Sequence, residues 1–392
     1  MPTKELIDSL RIVDTDSHII EEPDLWTSRL PKRLAEIGPR VERQGDLDNW
    51  VIGASSRPLH HITWFAAAGW KEFPPSTPET FDECDQAGFK AEDRLVRLDE
   101  YGIYAQVLYP NIVGFHGKAF LDELGPEDAT VCVQAYNDYL TDFCSADPKR
   151  LIAIAALPWW DIDACVAEIQ RVRSMGHRGL LFSVDFEKIG LPPIQDAHWA
   201  PVLGAAQEAE LSMNLHIGFG QETQADRGVR DLNKMGTMIA RTQDSAGSFL
   251  SVGRHVAKLA TNGVCIDFPD LKWVVVESGT GWVPFVMETL DWHWVNFGAH
   301  KEAPERELPS FYIKRNVYGT FWFEKHIEKA FELLPDNMMF ETDFPHPTSL
   351  SPGPASAALL PNEQLLASLQ NVSDELAIKA AQDNAFKLYH LT

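Results

Sequence analysis

Ile12-Val13-Asp14-Thr15-Asp16-Ser17-His18 is the stretch whose reading decides the fold. A short apolar run leads into acid or imidazole groups at alternate positions. In a β-strand, residues two apart point to the same face. A strand over 11–17 therefore puts Asp14, Asp16 and His18 on one side, with the later two where the strand runs out. Such a strand end presents a metal-binding edge. Taken alone, the segment reads equally well as a strand closing in an Asx-turn, its carboxylates bonded to nearby amides.

Working outward, 19–89 is rich in Pro, Trp and charge and has no sustained period. A structureless loop of that length is uncommon in a compact domain, so the segment reads as an ordered insertion whose tryptophans cap the mouth of the site. Beyond it the pattern becomes regular. Strand candidates at 104–110, 151–158, 178–184, 212–218, 271–278, 316–322 and 337–343 alternate with helical stretches at about 90–101, 127–146, 162–175, 199–210, 248–261, 283–297 and 324–333. Two C-terminal helices follow, near 362–370 and 373–388. Runs such as Leu151-Ile-Ala-Ile-Ala-Ala-Leu are apolar without alternation, as parallel strands buried on both faces should be. Eight strands with intervening helices predict right-handed βαβ units closed into a (β/α)8 TIM barrel, a single domain over 1–392. Neither GxGxxG nor GxxxxGK[ST] occurs, so no nucleotide-binding sheet and no organic cofactor are expected.

Bulk composition narrows the partners. The 392 residues are 45% hydrophobic and 10% aromatic, enough for a large core, and the formal net charge is −23. That charge repels nucleic acid and anionic membrane surfaces. It also means an anionic substrate needs a local positive centre, which a bound metal ion supplies. No uncharged apolar run approaches 18 residues and no leader-like segment opens the chain. The five widely spaced cysteines, with no CxxC pair, read as buried thiols of a reducing, cytoplasmic compartment.

In a barrel of this kind the C-terminal strand ends face the active site. Asp16 and His18 end the first strand, His216 lies near the end of the fifth, Glu277 ends the sixth and Asp343 the eighth. Two His and two Asp suit one divalent ion, Zn²⁺ or Mn²⁺, with room for water or substrate. Glu277 reads as a general acid/base or substrate-orienting group, or as a carboxylate bonded to the turn that follows it. His346, between Pro345 and Pro347, reads as a cap on the site, a partner orienting Asp343, or a packing residue. Trp26 and Trp64 of the insertion are candidates to stack on substrate, Asp291 and His293 to line the pocket. At most one of His60 and His61 is expected in the mouth, because neighbours on a strand face opposite ways.

These residues also resemble a known family. Val13-Asp14-Thr15-Asp16-Ser17-His18, the strand-five His216 and Met339-Phe340-Glu341-Thr342-Asp343-Phe344-Pro345 are similar to the amidohydrolase superfamily, in particular the branch of aminocarboxymuconate-semialdehyde and γ-resorcylate decarboxylases. The resemblance implies a mononuclear metal barrel with Asp16 at a first-ligand position that is His or Glu in better-known members. His18, His216 and Asp343 fall on the other ligands. Glu277 stands where the decarboxylases commonly carry a His. What the resemblance implies is non-oxidative decarboxylation of a small cyclic or aromatic carboxylate by a homodimer or higher homo-oligomer. The alternatives are hydrolysis of an amide, ester, lactone or C–C bond by a metal-activated water, or hydration.

Overall fold

The computed structural model describes residues 1–218 and 235–392, with backbone alone at 60–63. Eight parallel strands form one sheet in the order β1 (Val13–His18), β5 (Ala105–Tyr109), β6 (Leu151–Ala155), β7 (Gly179–Phe182), β8 (Ser212–His216), β9 (Trp273–Val276), β10 (Val317–Phe321) and β11 (Met338–Phe340). Each overlaps a strand read from the sequence. The ring closes between β11 and β1: Asp343 N donates to Asp16 O at 2.8 Å, His18 N to Phe344 O at 2.6 Å, and Thr15 Oγ1 to Phe340 O at 2.9 Å. This is the expected (β/α)8 architecture.

Because every strand is buried on both faces, alternation shows only in what each side chain touches. Ala105, Val107, Tyr109, Ile152, Ile154, Val274 and Val276 meet inside the barrel. Leu108, Leu151, Ala153, Trp273 and Val275 instead face the surrounding helices. The C-terminal residues Ala385, Leu388 and Tyr389 pack into the inner cluster.

The insertion is ordered, and it contains what the sequence reading missed. The strands β2 (Arg40–Gln44), β3 (Leu47–Ile52) and β4 (Arg57–His61) form a small antiparallel sheet. Gly45, at φ 67°, makes the β2–β3 turn that an L side chain disfavours. The insertion packs on the loop after β11 through Ala68 N donating to Pro345 O at 3.0 Å and the Phe65 ring 5.2 Å from that of His346. Two helices begin well before their sequence-read bounds, at Gly117–Cys144 and Thr237–Thr261. The first is broken at Gly125, φ 75°, next to Pro126, so the stretch read from 127 is its second half. The Gly/Gln/Arg-rich loop after β8 lies outside the described residues, as do the side chains of His60 and His61.

Candidate metal centre

The closure of the barrel brings its polar rim together. Along β1 one extra residue opposes β5 between Asp14 and Ser17, a bulge that separates the roles of the two aspartates. Asp14 turns away into a filled set of bonds. It accepts from Thr342 N at 2.8 Å, Thr342 Oγ1 at 2.6 Å and Gln106 Nε2 at 2.7 Å, tying β1 to its neighbours. Burial pushes its carboxyl up to about 7 although these bonds hold it down. Asp14 is therefore structural.

Asp16 is fully buried and faces the histidines of the rim. Its Oδ1 lies 3.6 Å from His18 Nε2 and 3.4 Å from His216 Nε2, and those two nitrogens are 3.0 Å apart. Asp343 Oδ1 is 3.7 Å from His18 Nε2. Each histidine has one nitrogen committed elsewhere: His18 Nδ1 donates to Pro110 O at 2.8 Å and His216 Nδ1 to Ile217 O at 2.7 Å. The facing Nε2 atoms are consequently bare in the neutral rings. All four carboxylate oxygens of Asp16 and Asp343 are buried without a hydrogen-bond partner. Buried acceptors facing one another with no donor between them are costly unless a cation occupies the space. Ligand atoms roughly 2.1 Å from one ion sit roughly 3 to 3.5 Å apart, close to the spacings here. The donor set thus fits a divalent ion.

His346 joins from the other side. Its Nδ1 lies 2.7 Å from Asp343 Oδ1, and its ring stacks on that of His18 with centroids 4.0 Å apart. Its Nε2 donates to Asn111 Oδ1 at 2.7 Å, and Asn111 is oriented by donating to Ile19 O at 2.9 Å. The candidate ligands form two triads that share His18, one with Asp16 and His216, the other with Asp343 and His346. Burial and the neighbouring imidazoles hold His18 well below the usual histidine range. Burial also lowers His216, but Asp16 and Glu277 overcome it and raise that ring to about 9. Burial and the Asp16 charge push Asp343 well up. Acids crowded in this way gain from a dication.

Glu277 Oε2 is 3.9 Å from His216 Nδ1, at one end of a cavity of about 1230 Å³ on the rim between β9, β10 and β11. Burial and the Asp343 charge push its carboxyl well above the ordinary glutamate range. Its backbone, at φ 54°, is fixed by Glu277 N donating to Glu341 Oε2 at 3.1 Å. Glu341 and Asn111 are site residues that sequence reasoning missed. Glu341 directly follows β11 and Asn111 follows β5 after Pro110, and that position was the available signal.

Two of the proposed substrate contacts lie elsewhere. Trp26 is fully buried, edge-on to Trp50 with centroids 4.9 Å apart and donating to Cys132 O at 2.9 Å, so it holds the insertion rather than substrate. His293 is exposed near the end of the helix Trp282–Asn296, stacked on Phe297, because that helix buries mainly its first two turns. Asp291, on the same helix, accepts from Ser310 N at 3.0 Å. Trp64 is half-buried with the Arg241 guanidinium 4.1 Å over its ring.

Residues 41–391 match the family model described as amidohydrolase. The chain belongs to the amidohydrolase family. Curated relatives include the γ-resorcylate decarboxylase of a Rhizobium species, 26% identical over 295 residues that span 68% of this chain and 84% of the relative. A Polaromonas enzyme of the same name is 26% identical over 266 residues, 65% of this chain and 77% of its own. Among solved structures, an amidohydrolase of Mycobacterium avium subsp. paratuberculosis is 20% identical with a TM-score of 0.72, covering 97% of this chain and 99% of that one. The 5-carboxyvanillate decarboxylase of Novosphingobium aromaticivorans, complexed with manganese and 4-hydroxy-3-methoxy-5-nitrobenzoic acid, is 19% identical with a TM-score of 0.65 and full coverage of both chains. These likenesses establish the amidohydrolase barrel, and the curated relatives named here are decarboxylases.

Proposed function

We propose that this amidohydrolase is a metal-dependent decarboxylase of an aromatic carboxylate, with Asp16, His18, His216 and Asp343 as ligands of one divalent ion. The observation that carries the reading is the convergence of two imidazole Nε2 atoms and the buried carboxylates of Asp16 and Asp343 beside Glu277. Manganese in a neighbouring structure favours Mn²⁺ over Zn²⁺. When bound, the ion offsets the charge of the substrate carboxylate and an adjacent oxygen. The protein's own residues do the rest. Glu277 holds its proton at the end of the cavity and gives it to the ring carbon. The bond from that carbon to the carboxylate breaks, its electron pair stays with the ring, and CO₂ leaves. Asn111 accepts from His346 Nε2 and so fixes that ring with its bare Nδ1 facing Asp343 Oδ1, from where it too could hold the ion.

The chain works as one domain with 19–89 as cap. Its substrate is a small anion rather than nucleic acid or membrane, given the net charge of −23. Among the described residues no helix is long and apolar enough to cross a membrane. All five cysteines are buried and unpaired, which supports a reducing cytoplasm. Self-association uses the exposed apolar side of the helix Trp282–Asn296.

The test is metal analysis combined with product analysis. Purified chain should carry about one Mn²⁺ or Zn²⁺, and His216→Ala should lose both metal and turnover. With a panel of hydroxybenzoates and lactones, CO₂ release supports the lyase. Acid release from lactones without CO₂ would replace it with metal-dependent hydrolysis.

A further inference from the structure

The cavity at Glu277 is much larger than a one-ring substrate needs. Its volume is about 1230 Å³, above the roughly 300–1,000 Å³ of ordinary ligand pockets. Its walls are apolar: Phe249 from the helix Thr237–Thr261, Trp282 and Val286 from the helix Trp282–Asn296, Trp322 after β10 and Leu350 after β11. The two helices pack closely because residue 253 is glycine, where a Cβ would stand 3.0 Å from Val286 Cγ2. The floor is braced by Glu324, whose carboxylate accepts from Thr280 N and from Trp322 N, each at 2.9 Å. The shape is therefore preformed. Glu277 closes the inner end, and the outer end opens at Leu250 and Phe285, 80% and 71% exposed. Arg254 is the one cation among the described lining residues.

We infer that the substrate is a hydroxyaryl carboxylate whose apolar body extends over two or more fused or linked rings, with the reacting carbon at Glu277 and the remaining rings along Phe249, Trp282 and Trp322. This rests on the decarboxylase reading for the reacting end and on the cavity alone for the rest. A single ring displaces only a few of the waters that wet this wall, whereas a larger body removes most of them and gains their release. Arg254 near the mouth draws the anion toward an otherwise acidic protein.

The experiment compares 2-hydroxybenzoate with 1-hydroxy-2-naphthoate and 2-hydroxy-4-phenylbenzoate on the metal-loaded chain. A kcat/KM at least about tenfold higher for the two-ring substrates is expected, and Ala246→Trp or Ser245→Trp, which fill the cavity from the helix Thr237–Thr261, should reduce that preference at least about tenfold. Equal or better turnover of the one-ring acid would overturn the inference. Calorimetry with phenol and 2-naphthol, which carry no carboxylate, reads the cavity without the reaction. If no acid releases CO₂, the decarboxylase reading fails, while tighter 2-naphthol binding that either tryptophan variant abolishes still upholds the cavity's role. Equal binding of the two phenols overturns it.

Discussion

Glu277 and Asp343 adopt φ values of 54° and 60°, a left-handed conformation that costs a non-glycine residue about 1 kcal/mol or more. Strain of this kind persists where the surroundings over-determine it. Here Glu341 holds Glu277 N, and Asp16 O holds Asp343 N. Both acids are thereby aimed off the strand ends into the site. Glutamine at 277 retains the shape and the amide bond to Glu341 but has no acidic proton. Glu277→Gln should keep its metal and lose about 10²- to 10⁴-fold in CO₂ release; wild-type turnover with full metal would remove Glu277 from the chemistry. At this scale the sequence was informative where a strand ends, since Asp16, His18, His216 and Asp343, which the fold brings together, were all singled out by that position. It misled at Trp26, because nothing local distinguishes a tryptophan that stacks on substrate from one that anchors a loop. Asn111 and Glu341 also stand just past strands, but their roles come from His346 and Glu277, partners that no local pattern displays.

Among the elements, the barrel strands were legible from their continuous apolar runs, and the small sheet of the insertion was not. Its strands are five or six residues long and carry Arg40, Glu42, Arg43, Asp48 and Arg57, so neither period nor composition stands out. The early turns of the helix Thr237–Thr261 hide for a similar reason, being rich in Ser, Thr and Gln. Buried polar bonds hold elements in register. Asn137, on the helix Gly117–Cys144, donates to Ala156 O and accepts from Ala156 N, each at 3.0 Å, which fixes that helix beside the end of β6. One turn along, Thr141 accepts from His177 Nε2 at 2.9 Å just before β7. His177 Nδ1 has no acceptor, and burial together with the Arg171 charge lowers the ring to about 4. In the unfolded chain the same ring titrates near 6.5. Between those values the unfolded state takes up a proton that the folded state refuses, so His177 costs stability as pH falls from about 6.5 to about 4, by about 3 kcal/mol in full. Thermal midpoints at pH 7 and pH 4.5 should show a smaller acid loss for His177→Gln than for wild type. Equal losses would contradict this account.

For the whole molecule, an apolar concentration stands out among the described surface residues. Trp292 and Val295 are 67% and 50% exposed and share a side of the helix Trp282–Asn296, with Phe297, 80% exposed, just beyond. Apolar surface gathered in this way marks an interaction site. Sedimentation should find wild type paired and Trp292→Glu shifted to monomer, whereas a wild-type monomer at micromolar concentration would remove the interface. The helix periodicity was readable from the sequence, but its outward direction was not, because both sides carry large apolar residues.

The join between β11 and β1 has a dynamic consequence. It is a single bridge, Ser17 to Phe344, rather than a full ladder, and its amide bonds flank the same aspartates proposed to hold the ion. Stripping the metal leaves Asp16 and Asp343 repelling each other across the thinnest weld in the hoop. Chelated protein should therefore exchange the amide hydrogens of His18 and Asp343 for deuterium faster than loaded protein, while those of β6 and β7 keep their rates. Unchanged exchange at the weld would mean that the hoop holds without its rivet.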